Sequence, residues 1–112
     1  MRFGETQNCV ARHTSESCIL PIGPSGVHSD QEGSRKAIAL LEDLLQRNPA
    51  HHSASWILNI AYMTVGEYPD GVPERHRLPP SFFDSDRDFP RFVDVAGGLG
   101  LPTFNMAGGG GG

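Results

Sequence analysis

The sequence predicts a mainly α-helical fold: a helical hairpin with a long N-terminal loop and an extended C-terminal arm rich in proline and glycine. Two apolar stripes predict the hairpin, because residues three and four positions apart lie on one face of an α-helix. Nine prolines and fourteen glycines among 112 residues predict that much of the remaining chain is irregular. The sequence therefore predicts one small domain with a small core.

The clearer stripe lies in residues 53–73. Its members recur at helical spacing and are Ala54, Ile57, Leu58, Ala61, Tyr62 and Val65. Gly66 predicts the end of this helix, and Pro69 and Pro73 prevent its continuation. The segment resembles the first helix of a tetratricopeptide repeat. The residues near the aromatic, small and turn positions of that repeat are Trp56, Leu58, Tyr62, Gly66 and Tyr68.

The other stripe precedes it in the chain. Its members are Ala37, Leu40, Leu41, Leu44 and Leu45, and Asn48-Pro49 closes the helix that they predict. Pro49 and Gly66 fall at the closing-proline and glycine positions of a single tetratricopeptide register. The alternative is an ordinary helical hairpin with a leucine core, because only about one repeat is visible.

The start of the first helix has two candidates. Residues 29–32 have the S-x-x-E pattern of a capping box, in which Ser29 and Glu32 would satisfy free backbone amides. Gly33 is unfavourable inside a helix, so Ser34 is the second candidate. We therefore divide the chain into a cysteine-containing loop (1–33), a tetratricopeptide-like helix pair (34–68) and an extended arm (69–112).

Charge and hydropathy exclude several classes of function. The formal net charge of −4 argues against nonspecific nucleic-acid binding, which needs a basic face against the phosphates. No apolar run approaches the roughly eighteen residues of a membrane span. The first residues, MRFGETQNC, lack the apolar centre of a signal peptide.

The two cysteines leave three possibilities open. A disulfide between Cys9 and Cys18 would close a short loop, as paired cysteines do in small extracellular proteins. Cys9, His13, Cys18 and His28 form C-x3-H-x4-C-x9-H, which could supply four ligands to zinc or copper. A haem site is a weaker variant, because CVARH lacks the second cysteine of C-x-x-C-H. Free thiols are the third possibility, and a cysteine nucleophile beside His13 has no evident orienting third group.

The arm after Tyr68 cannot be one long helix, because prolines recur from Pro69 to Pro90. It nevertheless carries apolar residues that are unusual in a free linker. We expect a set of aromatic residues to contact a partner: Trp56, Tyr68, Phe82, Phe83, Phe89 and Phe92. Residues 92–96 alternate like one short strand. The acidic DSDRD segment lacks the glycine and closing glutamate of a calcium loop and indicates a solvated turn.

Four segments carry a resemblance to a known family: NCVARHTSESCILPI, GVHSDQEGSRKAI, WILNIAYMTVGEYPDGVP and FPRFVDVAGGLGL. They resemble the region before the β-propeller in secreted bacterial FG-GAP/VCBS repeat proteins with an ASPIC/UnbV domain, which are similar to cartilage acidic protein. The resemblance implies export to an oxidising extracellular, periplasmic or cell-surface setting, which favours the Cys9–Cys18 disulfide. In that family a calcium-binding propeller follows the segment matched by Phe92 to Leu101. This sequence ends in glycines instead, so no propeller calcium ligand is carried over.

These observations predict a noncatalytic protein–protein interaction or scaffold module of an exported protein. Its partners would be other protein subunits or copies of itself, and it would need no cofactor. Because ordering a proline-rich arm and a polyglycine end costs backbone entropy, we expect order within a larger assembly. No paired carboxylates, nucleophile and base, or phosphate loop occurs at a meaningful spacing. The alternative is a metal- or haem-binding accessory protein that uses the cysteine and histidine loop.

Overall fold

The computed structural model describes residues 6–87, 93, 95 and 97–100, and these residues are mainly helical, as predicted. Two α-helices, α1 (Glu32–Arg47) and α2 (His52–Thr64), pack as a hairpin. A π-helical turn lies at Thr6–Val10, and single 3-10 turns lie at Pro24–Gly26, Glu74–His76, Pro80–Phe83 and Gly97–Leu99. The described residues contain no strand. The strand predicted for residues 92–96 lies largely outside them.

Helix α1 begins at Glu32, two residues before the predicted boundary of the helix pair, and the predicted capping box does not form. The Ser29 hydroxyl donates to Asn8 Oδ1 at 3.4 Å, so it does not cap the helix. The Glu32 amide donates instead to Asp30 Oδ1 at 3.2 Å. Gly33 therefore lies inside the first turn of α1, where Asp30, the first x position of the S-x-x-E pattern, satisfies one free amide instead of Ser29.

Both predicted stop signals are confirmed. Helix α1 ends at Arg47, and the Asn48 amide donates to the Leu44 carbonyl at 2.8 Å. Helix α2 ends at Thr64, and Gly66 follows in a left-handed conformation with φ of 76°. Glycine adopts this conformation without the strain that a side chain would cause, so Gly66 can turn the chain out of the helix.

The core lies between the two helices, and its members are Ile38, Leu45, Ala54, Leu58, Ala61, Tyr62, Val65 and Val72. The apolar stripe predicted on α2 is buried except for Ile57, which is 49% exposed. On α1 the prediction was less accurate, because Leu40 is 71% exposed and Ile38 is buried instead. A two-helix hairpin covers only the middle of each stripe, so residues at the edges of the stripes remain in solvent. Within the described residues, neither helix is long and apolar enough to cross a membrane.

Residues 69–83, here called the strap, fold back over the hairpin. Val72 in the strap is 1% exposed and belongs to the core. Asn59, fully buried in α2, donates from Nδ2 to the His76 carbonyl at 2.8 Å and accepts from the Leu78 amide at 3.0 Å. The Tyr68 hydroxyl donates to the Leu78 carbonyl at 2.6 Å. The strap is thus attached to the hairpin by apolar burial and by hydrogen bonds to the buried Asn59.

Residues 6–31, here called the N-terminal loop, contact the opposite end of the hairpin. The His28 amide donates to the Thr64 carbonyl at 2.8 Å, where α2 ends. Asn8, only 8% exposed, donates from Nδ2 to the Asp30 carbonyl at 2.8 Å and accepts from the Asp30 amide at 3.0 Å. The loop is therefore attached to the end of α2 through the His28 amide, while the Asn8 bonds to Asp30 are internal to the loop, just before α1.

Candidate interaction surface

Four of the six predicted contact residues come together in the structure. Trp56, Tyr68, Phe82 and Phe83 form a continuous set of ring contacts, here called the aromatic cluster. The Trp56 ring centroid lies 5.9 Å from that of Phe82 and 5.2 Å from that of Phe83. Phe83 also meets Tyr68 edge to face at 6.1 Å. The other two predicted residues, Phe89 and Phe92, lie outside the described residues.

The strap brings the two phenylalanines to α2. Pro79 and Pro80 precede them, and the Phe82 amide donates to the Pro79 carbonyl at 2.9 Å in a 3-10 turn. Proline favours the start of such a turn, because its φ is already fixed near the required value. The hydrogen bonds of Leu78 to Tyr68 and Asn59 hold the chain immediately before this turn. The position of the aromatic cluster therefore depends on the attachment of the strap to Asn59 and Tyr68.

Phe82 is the most exposed member of the aromatic cluster, at 58% of its surface. Trp56, Tyr68 and Phe83 are half-buried around it. Beside Phe82 is an open cavity of about 510 Å³, which falls within the range of ligand pockets. Its lining residues are His52, Ser53, Ser55, Trp56, Ile57, Leu78 and Phe82. The cavity therefore combines apolar walls with hydroxyl and imidazole groups.

Two ionisable groups near the aromatic cluster, His76 and Tyr68, have pKa values shifted in the direction that favours their neutral forms. His76 Nδ1 lies 3.2 Å from the Ser55 hydroxyl, and burial, with the charge of Arg75, lowers the pKa of His76. Burial raises the pKa of Tyr68, so its hydroxyl remains protonated. An apolar group entering this region would meet no buried charge from these two side chains. The local chemistry favours apolar and hydrogen-bonding contacts over ion pairs.

The predicted Cys9–Cys18 disulfide is absent from the structure, in which both thiols are free and exposed. Cys18 Sγ lies 3.7 Å from His13 Nε2, whereas Cys9 lies in the separate Thr6–Val10 turn. Sequence spacing allowed the bond, but a disulfide also requires the two Cβ vectors to converge. The local turns direct the two sulfurs to different places.

The four predicted metal ligands do not come together either. Only His13 and Cys18 are neighbours, and His28 Nδ1 bonds instead to the Ser34 hydroxyl at 3.2 Å. Burial lowers the pKa of His28, against the opposing effect of Asp30. Nowhere in the described part of the chain do three or more histidine, cysteine or acidic side chains form a group suited to a metal ion. The geometry therefore gives no support to zinc, copper or haem binding through this set.

The sequence interpretation missed Asn59, the residue that attaches the strap. Its side chain makes three hydrogen bonds, the third from Nδ2 to the Ser55 carbonyl at 2.8 Å. A signal was present, because Asn59 is a polar residue between Leu58 and Ile60 in the most apolar helix. A polar side chain inside an apolar run has to find partners when it is buried.

Comparisons with known proteins found no match: no family model, no curated protein and no solved structure corresponds to this chain. The resemblance to FG-GAP/VCBS repeat proteins therefore rests on the four sequence segments alone.

Proposed function

We propose that this chain is a noncatalytic protein–protein interaction module of an exported protein. In this proposal α1 and α2 are a tetratricopeptide-like pair, and the strap presents the aromatic cluster to a partner. The partner is another protein subunit, which inserts an apolar or aromatic side chain into the cavity beside Phe82. The alternative partner is a second copy of this chain, and sedimentation of the chain alone distinguishes the two.

The exposure of Phe82 carries the proposal. Its ring contacts both Trp56 and Phe83, yet 58% of the residue faces solvent. Aromatic side chains provide much of the binding energy at protein interfaces, where they combine a large contact area with few rotatable bonds. Packing on two neighbouring rings restricts Phe82 further, which lowers the entropy lost on binding.

The lining of the cavity supports a protein partner with mixed chemistry. The lining includes Ser53, Ser55 and His52 as well as the apolar Ile57 and Phe82. Protein interfaces combine apolar contact area with hydrogen-bonding groups in this way. A peptide backbone that follows the inserted side chain could bond to the polar lining groups.

The cellular setting in the proposal comes from the sequence resemblance. It implies an extracellular, periplasmic or cell-surface location, where the chain would act as a scaffold within a larger assembly. The net charge of −4 favours a protein partner over nucleic acid. The proposed role is binding, because the aromatic cluster contains no acid, base or nucleophile arranged for a reaction.

A peptide-display selection against the full chain tests this function. We expect selected peptides to contain an aromatic or large aliphatic anchor and to change Trp56 fluorescence on binding. Phe82→Ser should weaken their binding at least tenfold, about 1.4 kcal/mol. Sedimentation of the chain alone should show a monomer. If the parent chain instead forms a dimer and Phe82→Ser abolishes it, the partner at this surface is a second copy of the chain and not another subunit.

Leu40→Ser is the matched control. Leu40 is 71% exposed on α1, so its replacement removes a similar exposed apolar group far from the aromatic cluster in the chain. We expect this variant to bind the selected peptides like the parent. Equal weakening by Leu40→Ser and Phe82→Ser, or no weakening by either, would contradict the proposed surface.

A further inference from the structure

A short turn in the N-terminal loop brings a thiol and an imidazole together. The Ser17 amide donates to the Thr14 carbonyl at 3.1 Å, and the Thr14 amide donates to the Ser17 hydroxyl at 3.0 Å. These reciprocal bonds close residues 14–17 into a turn. His13 and Cys18 flank the turn, with Nε2 and Sγ 3.7 Å apart.

A second set of contacts fixes this turn to the rest of the N-terminal loop. Glu16 Oε2 accepts from the Ser25 amide at 2.9 Å and from the Ser25 hydroxyl at 2.5 Å. These two bonds lower the pKa of Glu16, so its carboxylate is charged at neutral pH. Glycine at position 26 allows the two backbone segments to lie close together, since a Cβ at this position would lie 2.9 Å from the Glu16 carbonyl oxygen. His13 and Cys18 thus flank an anchored turn.

We propose that Cys18 is a thiol–disulfide exchange site that reacts with low-molecular-weight disulfides, with His13 as its base. The thiolate is the reactive form of cysteine, and a neighbouring imidazole promotes its formation by accepting the thiol proton. Both side chains are exposed, so a small disulfide can reach the sulfur from solvent. The site is independent of the aromatic cluster.

The exchange balances without any further oxidant. The Cys18 proton moves to His13 Nε2, and the Cys18 sulfur attacks one sulfur of the incoming disulfide. The sulfur–sulfur bond of the reagent breaks as the new bond to Cys18 forms. The departing thiolate takes the proton back from His13, so Cys18 is oxidised and the leaving sulfur is reduced.

Cys9 provides an internal comparison. It is also free and exposed, but its sulfur has no described contact with a histidine. The two cysteines lie beyond disulfide distance, so Cys9 does not resolve a mixed disulfide at Cys18 in this conformation. The two exposed cysteines therefore differ in the one feature on which the proposal rests, the neighbouring imidazole at Cys18.

The test uses the full chain with one cysteine at a time. Cys9→Ser and Cys18→Ser are treated with oxidised glutathione at neutral pH, and the mixed disulfide is followed by mass spectrometry. We expect Cys18 to react about tenfold faster than Cys9. This ratio is smaller than the roughly 10²- to 10⁴-fold rate increase that a general base gives in an enzyme site, because Cys18 and His13 are exposed. Equal rates for the two single-cysteine variants would overturn the proposal.

His13→Gln then tests the base in the Cys9→Ser background. Gln keeps a polar side chain of similar size, and His13 is exposed, so circular dichroism should be unchanged. We expect the Cys18 rate to fall to about that of Cys9, while Gln46→Ala, which replaces an exposed residue on α1, leaves it unchanged. A Cys18 rate that His13→Gln does not alter would overturn the assignment of His13.

Discussion

The strap and the N-terminal loop are both irregular segments folded against the same hairpin, but they are attached differently. The strap contributes Val72 to the core and bonds to the fully buried Asn59. The N-terminal loop is attached to the hairpin through the His28 amide on the Thr64 carbonyl, while other bonds, such as those from Ser25 to the Glu16 carboxylate, are exposed and internal to the loop. Breaking a buried contact costs more free energy than breaking an exposed one, because water cannot replace the lost partner.

This difference separates two kinds of irregular structure. The strap should open only when much of the hairpin opens, because its hydrogen bonds are made to the middle of α2. The N-terminal loop should open locally, since its internal bonds can exchange with water while the hairpin stays folded. The aromatic cluster lies on the strap side and the thiol–imidazole pair on the loop side, so binding and thiol reactivity should respond independently to mutation.

The largest expected effect comes from Asn59→Ala. It leaves the Leu78 amide and the His76 carbonyl without their buried partner, which should lower the free energy of unfolding by about 3 kcal/mol. Urea denaturation followed by circular dichroism measures this change. Gln46→Ala removes an exposed amide on α1 and should change the same free energy by less than about 0.5 kcal/mol. Similar losses in the two variants would show that Asn59 does not attach the strap.

A smaller effect is expected from Tyr68→Phe. The change removes the hydrogen bond from the Tyr68 hydroxyl to the Leu78 carbonyl and should cost about 1 kcal/mol. Amide exchange in the strap should accelerate. Tyr62→Phe is the reference variant, because it removes a bond to Glu42 inside the hairpin and should also accelerate strap exchange as the hairpin loses stability. Strap exchange that Tyr68→Phe leaves unchanged would show that the Tyr68 bond does not hold the strap.

The smallest effect concerns pH and the N-terminal loop. The hydrogen bonds from Ser25 lower the pKa of Glu16 in the folded loop below its ordinary value of 4.5. The stabilisation from these bonds is therefore complete above pH 4.5 and is lost as the pH falls through the lower folded pKa. Nuclear magnetic resonance should show faster Ser25 amide exchange, relative to intrinsic rates, in this acidic range.

Glu16→Gln provides the control for that pH dependence. It cannot ionise, so the Ser25 amide should lose the acidic transition, while the Leu78 amide behaves as in the parent. An acidic transition at Ser25 that persists in Glu16→Gln would assign the effect to another carboxylate.

The sequence predicted the helices well, because their signals are local. Gly66 and Asn48 mark the observed helix ends, and the stripe on α2 predicts most of its buried face. Aromatic residues in a proline-rich segment also indicated that Phe82 and Phe83 contact something other than water. The structure adds that part of this contact is internal, through Trp56 and Tyr68.

The remaining features depend on contacts between distant parts of the chain. Ser29 has the sequence context of a helix cap, yet its hydroxyl donates a hydrogen bond to Asn8, 21 positions away. Cysteine spacing alone could not show that a four-residue turn directs Cys18 towards His13. Leu40 fits a helical stripe, but its exposure depends on how far the two helices and the strap cover that face. Periodicity cannot supply such information.

The most direct test of the attached strap is hydrogen exchange of the Leu78 amide in the parent chain. This amide donates to the buried Asn59 side chain, so it should exchange only with the opening of α2 and be protected like the Leu58 amide. The Ser25 amide in the N-terminal loop should exchange much faster under the same conditions. Exchange of Leu78 as fast as that of Ser25 would contradict the attachment of the strap and, with it, the fixed position of the aromatic cluster.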